Sequence, residues 1–368
     1  MTLNPPHTAP RNATIDIARG IGIILVVLGH NPTVLQDKGE LFRVIYSFHL
    51  PLFFFLSGVF LKDSAPAGPF VLSRADALLK PYFVVLLLLG AVEMLLPQAS
   101  PLASTSPLAY LSGVLYATTP TIAWTPLWFL PHLFVASVIS AAILRITKAL
   151  ENRTAWLVVT TCALLAAGIA FIDSFWQIDT ARLHFMGLDK LPGLPWSLDL
   201  ALFSSACMLA GFLLSKAVTA MRFSSIAFGT AILAFAVLHG YFDETIDLNL
   251  RAYGNPLVCT VQAALGIYVV LGASALLQRY AMFRRSLSYA GSASLFILLF
   301  HYAAQGRTFL VLSHISDNHY LLGAASLAAG VLLPLVILEL MRRQRYAAVL
   351  LLPLRTALPS SKTSPELS

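Results

Sequence analysis

Arg19 and His30 lie eleven residues apart in the first apolar run of the chain. Eleven steps of about 100° return to within about 20° of the starting direction, so on an α-helix both side chains share one face, about 16 Å apart along the axis. A guanidinium is a permanent forked charge suited to phosphates. An imidazole titrates near neutrality and can deprotonate a hydroxyl or accept an acyl group. Asp16 stands one turn before Arg19, at a spacing that allows an ion pair steadying the guanidinium. A cation and an imidazole at two depths of one track suggest transfer from a phosphorylated donor to a hydroxyl acceptor.

Other polar groups gather around this pair. The second apolar run begins at His49 and Pro51, passes Phe53, Phe54 and Phe55, and reaches Ser57 and Gly58, which sets His49 level with His30. Trp128 and His132, at the start of the fourth run, fall at similar depth. His30, His49, Trp128 and His132 are therefore expected to converge on one pocket. Taken singly, His132, His239 and His301 read as hydrogen-bonded packing residues. His30 does not, because ionisable groups sharing an intramembrane face are costly and mark function.

The elements that must position these residues are transmembrane helices. The 368 residues are 58% hydrophobic and only 11% charged, with a mean hydropathy of +0.78, far from the mix of soluble domains. The apolar material falls into ten stretches near the length that crosses a bilayer, at 14–31, 44–61, 82–96, 127–144, 155–172, 200–216, 224–241, 257–277, 290–312 and 320–340. The fold expected is all-α, a polytopic integral membrane protein of about ten helices in one bundle. A transmembrane domain is expected over 1–345 and a cytosolic tail over 346–368.

Of the 24 Lys and Arg residues, 17 fall on one side of this layout and 5 on the other, with Arg19 and Arg307 inside spans. The positive-inside rule then places both termini in the cytosol of a cell (inner) membrane protein. The formal charge of +7 is accounted for by topology, and no nucleic-acid partner is needed. The first apolar run carries Arg19 and lacks a small-residue cleavage site, so it reads as a retained helix. Cys162, Cys207 and Cys259 each sit in a span, and no metal-site spacing occurs, so no metal is expected. Two outward connections are long, 97–126 and 173–199. In the first, 108–117 could dip back into the interface. The second mixes Asp173, Asp179 and Asp189 with Trp176 and Trp196, a lining suited to a polyhydroxylated ligand.

Four motifs resemble the membrane-bound acyltransferase-3 family. TIDIARGIGIILVVLGH (14–30) is similar to the family's first-helix signature, SFHLPLFFFLSG (47–58) to its second-helix motif and WFLP (128–131) to its fourth-helix motif. LPWSLD (194–199), with Gly211, resembles the branch that includes fucose 4-O-acetylases. The resemblance implies an O-acetyltransferase that takes acetyl, or another acyl group, from cytosolic acetyl-CoA and places it on a hydroxyl of a sugar, polysaccharide or other envelope molecule. The acceptor would be a carbohydrate or a lipid-linked sugar, and membrane lipid surrounds the protein. His30 would be the catalytic histidine and Arg19 its donor-side or structural partner. The family's basic pair before the third helix is replaced by Arg74 and Lys80 with Asp76 and Ala77 between them. Arg74 is carried over to the donor site, with Lys80 as a substitute cation.

A different class of protein is the main rival: a transporter or exporter of envelope precursors using intramembrane His, Arg and Asp as a proton relay. The absence of an internal repeat disfavours it. A non-catalytic assembly partner would need the His30 track for packing alone.

Overall fold

Each of the ten apolar stretches forms a helix in a computed structural model that describes residues 12–63, 66–95, 106–180 and 188–354, with the side chains of Glu93 and Arg345 outside the description. The helices are numbered α1 (Ala13–Gly29), α2 (His49–Val59), α3 (Lys80–Leu95), α4 (Phe129–Ile146), α5 (Arg153–Ala170), α6 (Ala201–Leu213), α7 (Ser225–Tyr241), α8 (Pro256–Leu277), α9 (Ser294–Ser313) and α10 (His319–Arg343). Counted with the short helical segments that continue them, eight are long and apolar enough to cross a membrane. The other two, α1 and α7, have 17 residues each, about 25 Å of rise, at the lower limit for a span. The only strands among the described residues are two short antiparallel hairpins, Trp176–Asp179 with Lys190–Pro192 and Ile246–Asp247 with Ala252–Tyr253.

Local chemistry explains the helix starts. Asn12, Ser224, Asn255 and Asn318 each cap a first turn with a side-chain oxygen, and Pro256 follows its cap at the first helical position. The stretch 108–117 is the helix Pro107–Tyr116, capped by Ser106. Residues 96–105 of that connection, and 181–187 of the next, lie outside the described residues.

Two crossings are made at backbone distance. A Cβ on Gly58 of α2 would stand 1.9 Å from the Met208 carbonyl oxygen of α6, and one on Gly211 of α6 would stand 2.0 Å from that of Phe55. Gly20 of α1 and Gly291 of the helix Ala281–Ser292 make a second such pair, against the carbonyl oxygens of Leu287 and Asp16. Between helices in lipid, where no hydrophobic force draws them together, small residues at the seam are what permits close packing.

Contacts among the loops sort the ends of the helices into two faces. On one, Asn12 bonds the Thr219 carbonyl, Arg153 pairs with Asp63, and Arg279 lies over the Phe223 ring. The segment after α10 also docks there, as a helix over Arg345–Leu351, with Lys80 bonding the Leu352 carbonyl and Leu354 N–H bonding Asp76. The start of the expected tail is therefore packed against the bundle; residues 355–368 lie outside the description. On the other face, Tyr116 bonds the Gly193 carbonyl, Trp196 bonds that of Leu115, Arg43 pairs with Asp243, and Arg251 pairs with Asp199. These are called below the basic face and the loop face.

Candidate active site

A cavity of about 1420 Å³, counting its open ends, runs beside α1 and α2. It is lined by Arg19, His30, His49, Ser57, Arg74 and Trp128 among the residues singled out from sequence. The others stand elsewhere. His132 is fully buried one layer behind the wall, its ring 5.6 Å from that of Trp128 and edge-on to Phe54 at 5.4 Å. Asp16 sits in the first turn of α1, against the Ala281–Ser292 helix. Lys80 is tied to Asp76 at 2.6 Å and to the Leu352 carbonyl at 2.7 Å, a role in anchoring the C-terminal segment.

The two cations are at the basic-face end. Arg19 lies over the Phe60 ring at 4.6 Å, and Arg74 over Phe70 at 5.4 Å, with Arg145 over the same ring at 5.6 Å. Such stacking orients a guanidinium without consuming its donors. The helix carrying Arg74 widens into a π-type turn over Ala75–Leu79, and Ala77 and Leu78 of that turn line the cavity as well. Turns of this kind recur at functional sites.

His30 caps the opposite end of α1. Its Nδ1 lies 2.9 Å from the Val26 carbonyl oxygen. A carbonyl only accepts, so the neutral ring donates from Nδ1 and carries its lone pair on Nε2. His49 is held the same way by the Ile45 carbonyl at 2.9 Å and packs edge-on to Tyr46, 4.8 Å between ring centres.

The structure adds residues around the cavity that the sequence did not place there, and sets His301, expected as a packing residue, beside His30. His301 of α9 stands edge-on to His30, with ring centres 5.3 Å apart, fully buried, its Nδ1 bonded to the Ile297 and Leu298 carbonyls and its Nε2 without a hydrogen-bond partner. An amide network fixes α9 there: Gln305 bonds the Val27 carbonyl at 2.9 Å, and Asn31 bonds Gln305 and the Gly323 carbonyl. Asp247 and Asn249, from the hairpin between α7 and α8, line the loop-face end with Tyr46 and Thr125. Burial pushes the Asp247 carboxyl above the ordinary carboxylate value, against the lowering effect of its bonds from the Leu250 and Asn249 backbone N–H groups. The only sequence signal for these residues was an ionisable or amide group near a span end. By contrast, Asp173, Asp179, Asp189, Trp176 and Trp196 do not line this cavity; Trp176 covers Arg251, and Trp196 bonds the Leu115 carbonyl.

A cation end, an imidazole with an open lone pair and a polar far end thus lie on one cavity within a helical bundle. The acyltransferase-3 model, described as an acyltransferase domain, matches residues 12–339, and the chain belongs to that family of membrane acyltransferases. The match is to the family as a whole and does not distinguish the fucose O-acetylase branch. No curated protein and no solved structure matches the chain.

Proposed function

We propose that this membrane acyltransferase carries acetyl from cytosolic acetyl-CoA to a hydroxyl of a sugar or polysaccharide on the outer side of the cell membrane, both termini being cytosolic. The observation that carries the reading is the single cavity on which Arg19, Arg74 and His30 all open. The donor's phosphates would lie between Arg19 and Arg74 on the basic face, where forked charges match phosphate oxygens. Its acyl arm would extend toward His30, about 16 Å along α1.

His30 Nε2 takes the proton of the acceptor hydroxyl as the oxygen attacks the thioester carbonyl. The carbon–sulfur bond breaks, and the thiolate leaves with the proton returned from the imidazolium. General-base action of this kind contributes typically about 10²–10⁴-fold. The same lone pair would serve a transient acyl-imidazole. The acceptor then reacts from the loop-face side without crossing the membrane.

The test is transfer of labelled acetyl from acetyl-CoA by purified protein in proteoliposomes, combined with mass analysis of envelope glycans from cells with and without the gene. An acetyl increment on a glycan that disappears with the gene is expected. Unchanged glycans, together with no transfer by the reconstituted protein, would refute the reading.

A further inference from the structure

The turn joining Ile246–Asp247 to Ala252–Tyr253 is held more firmly than closing a hairpin requires. Arg251 is 2% exposed, and its guanidinium bonds Asp199 through Nε at 2.9 Å, Ser197 through Nη2 at 3.1 Å and the Asn249 carbonyl through Nη1 at 3.1 Å. Trp176 lies over it at 4.7 Å. Asp247 Oδ1 accepts from the Asn249 and Leu250 backbone N–H groups at 3.0 and 3.1 Å. These bonds satisfy the turn.

They leave polar groups over on two residues that line the cavity. Asp247 Oδ2 and Asn249 Nδ2 make no hydrogen bond among the described residues, while Asn249 Oδ1 is closed off and unbonded there. Both residues line the cavity that His30 opens on, as do Tyr46 and the ring of Trp128. Left unbonded by the protein, a carboxylate oxygen and an amide N–H are available to a ligand. An ionised carboxylate only accepts, an amide both donates and accepts, and an aromatic ring offers an apolar platform. A phosphorylated or carboxylated acceptor would meet the Asp247 charge and be repelled, and a plain fatty alcohol would leave these groups unpaired.

We infer that Asp247 and Asn249 form the acceptor subsite and bind neighbouring, uncharged hydroxyls of a sugar or polyol, presenting one of them to His30. This rests on the acyl-transfer reading above and adds to it the residues and the charge state of the acceptor.

Reconstituted wild-type, Asp247→Asn and Asn249→Ala proteins would be assayed for transfer from labelled acetyl-CoA to the glycan fraction of the source envelope, with each substrate varied in turn. Asp247→Asn keeps an Oδ1 that can cap the turn while removing the charge, so thermal melting should be unchanged. Both variants should raise the glycan concentration giving half-maximal transfer by about tenfold or more, as expected for a lost bond to a charged or buried polar group. The KM for acetyl-CoA should stay within about twofold of wild type. Unchanged glycan dependence, or a KM for acetyl-CoA rising together with that for glycan, would overturn the inference alone. A wild-type protein that transfers to no glycan would overturn the acyl-transfer reading, and this inference with it.

Discussion

Arg19 and His30 could be read from sequence because one helix carries both. The 3.6-residue period alone decides that two residues eleven apart share a face, and both line the cavity. His132 shows the limit of that reasoning. Its depth was legible, but whether it faced the cavity or the next layer depended on the rotation of α4, which is set by how Trp128 and Phe54 pack around it. Asp247 and Asn249, which line the cavity, and His301, which stands behind His30, were not legible as site residues, since only the packing of distant segments, such as Gln305 against Val27, brings them there. Arg19→Ala and Arg74→Ala should each raise the KM for acetyl-CoA by about tenfold or more, the loss expected for a hydrogen bond to a charged group. The dependence on acceptor should hold. A donor KM unchanged in both variants would move the phosphate site elsewhere.

Among the elements, glycine seams and one buried ion pair set the geometry. Gly58→Ala should lower thermal stability markedly in detergent, because the added carbon meets a carbonyl oxygen at 1.9 Å and must drive α2 from α6. Gly229→Ala in α7, with nothing within 4 Å of its new carbon, should be neutral or gain up to about 1 kcal/mol from helix propensity. Equal melting of the two variants would show that the seam carries no packing load. Arg251→Met should cost about 3–5 kcal/mol, since Asp199 is left buried and unpaired. Adding Asp199→Leu should recover part of that loss, and a double variant melting below the single one would contradict it. The motif at 194–199 was visible in sequence; its partner was not. Pairing with Arg251 explains Ser197 and Asp199, and it holds Trp196 and Ser197 in a left-handed backbone, φ 56° and 53°, that residues with a Cβ rarely adopt.

For the whole molecule, the segregation of 17 cations from 5 in sequence goes with two groups of contacts among the described loop ends, from Asn12–Thr219 on the basic face to Arg251–Asp199 on the loop face. Helix number and grouping of ends were therefore readable from hydropathy and charge, whereas neighbour relations inside the bundle had to come from packing. In a cysteine-free background, Lys190→Cys on the loop face should react with an impermeant maleimide in intact cells, and Lys148→Cys on the basic face only after permeabilisation. The reverse pattern would invert the orientation and place the donor arginines on the outside.

The central claim is that the His30 imidazole carries out the transfer, and it is tested most directly by measuring acetyl transfer and acetyl-CoA binding side by side for wild-type and His30→Ala protein in proteoliposomes. The account predicts that transfer falls by at least about 10²-fold, with melting temperature and donor affinity near wild type, because Ala fits a helix end and the proposed phosphate site is about 16 Å away. A His30→Ala protein that acetylates at the wild-type rate would contradict it.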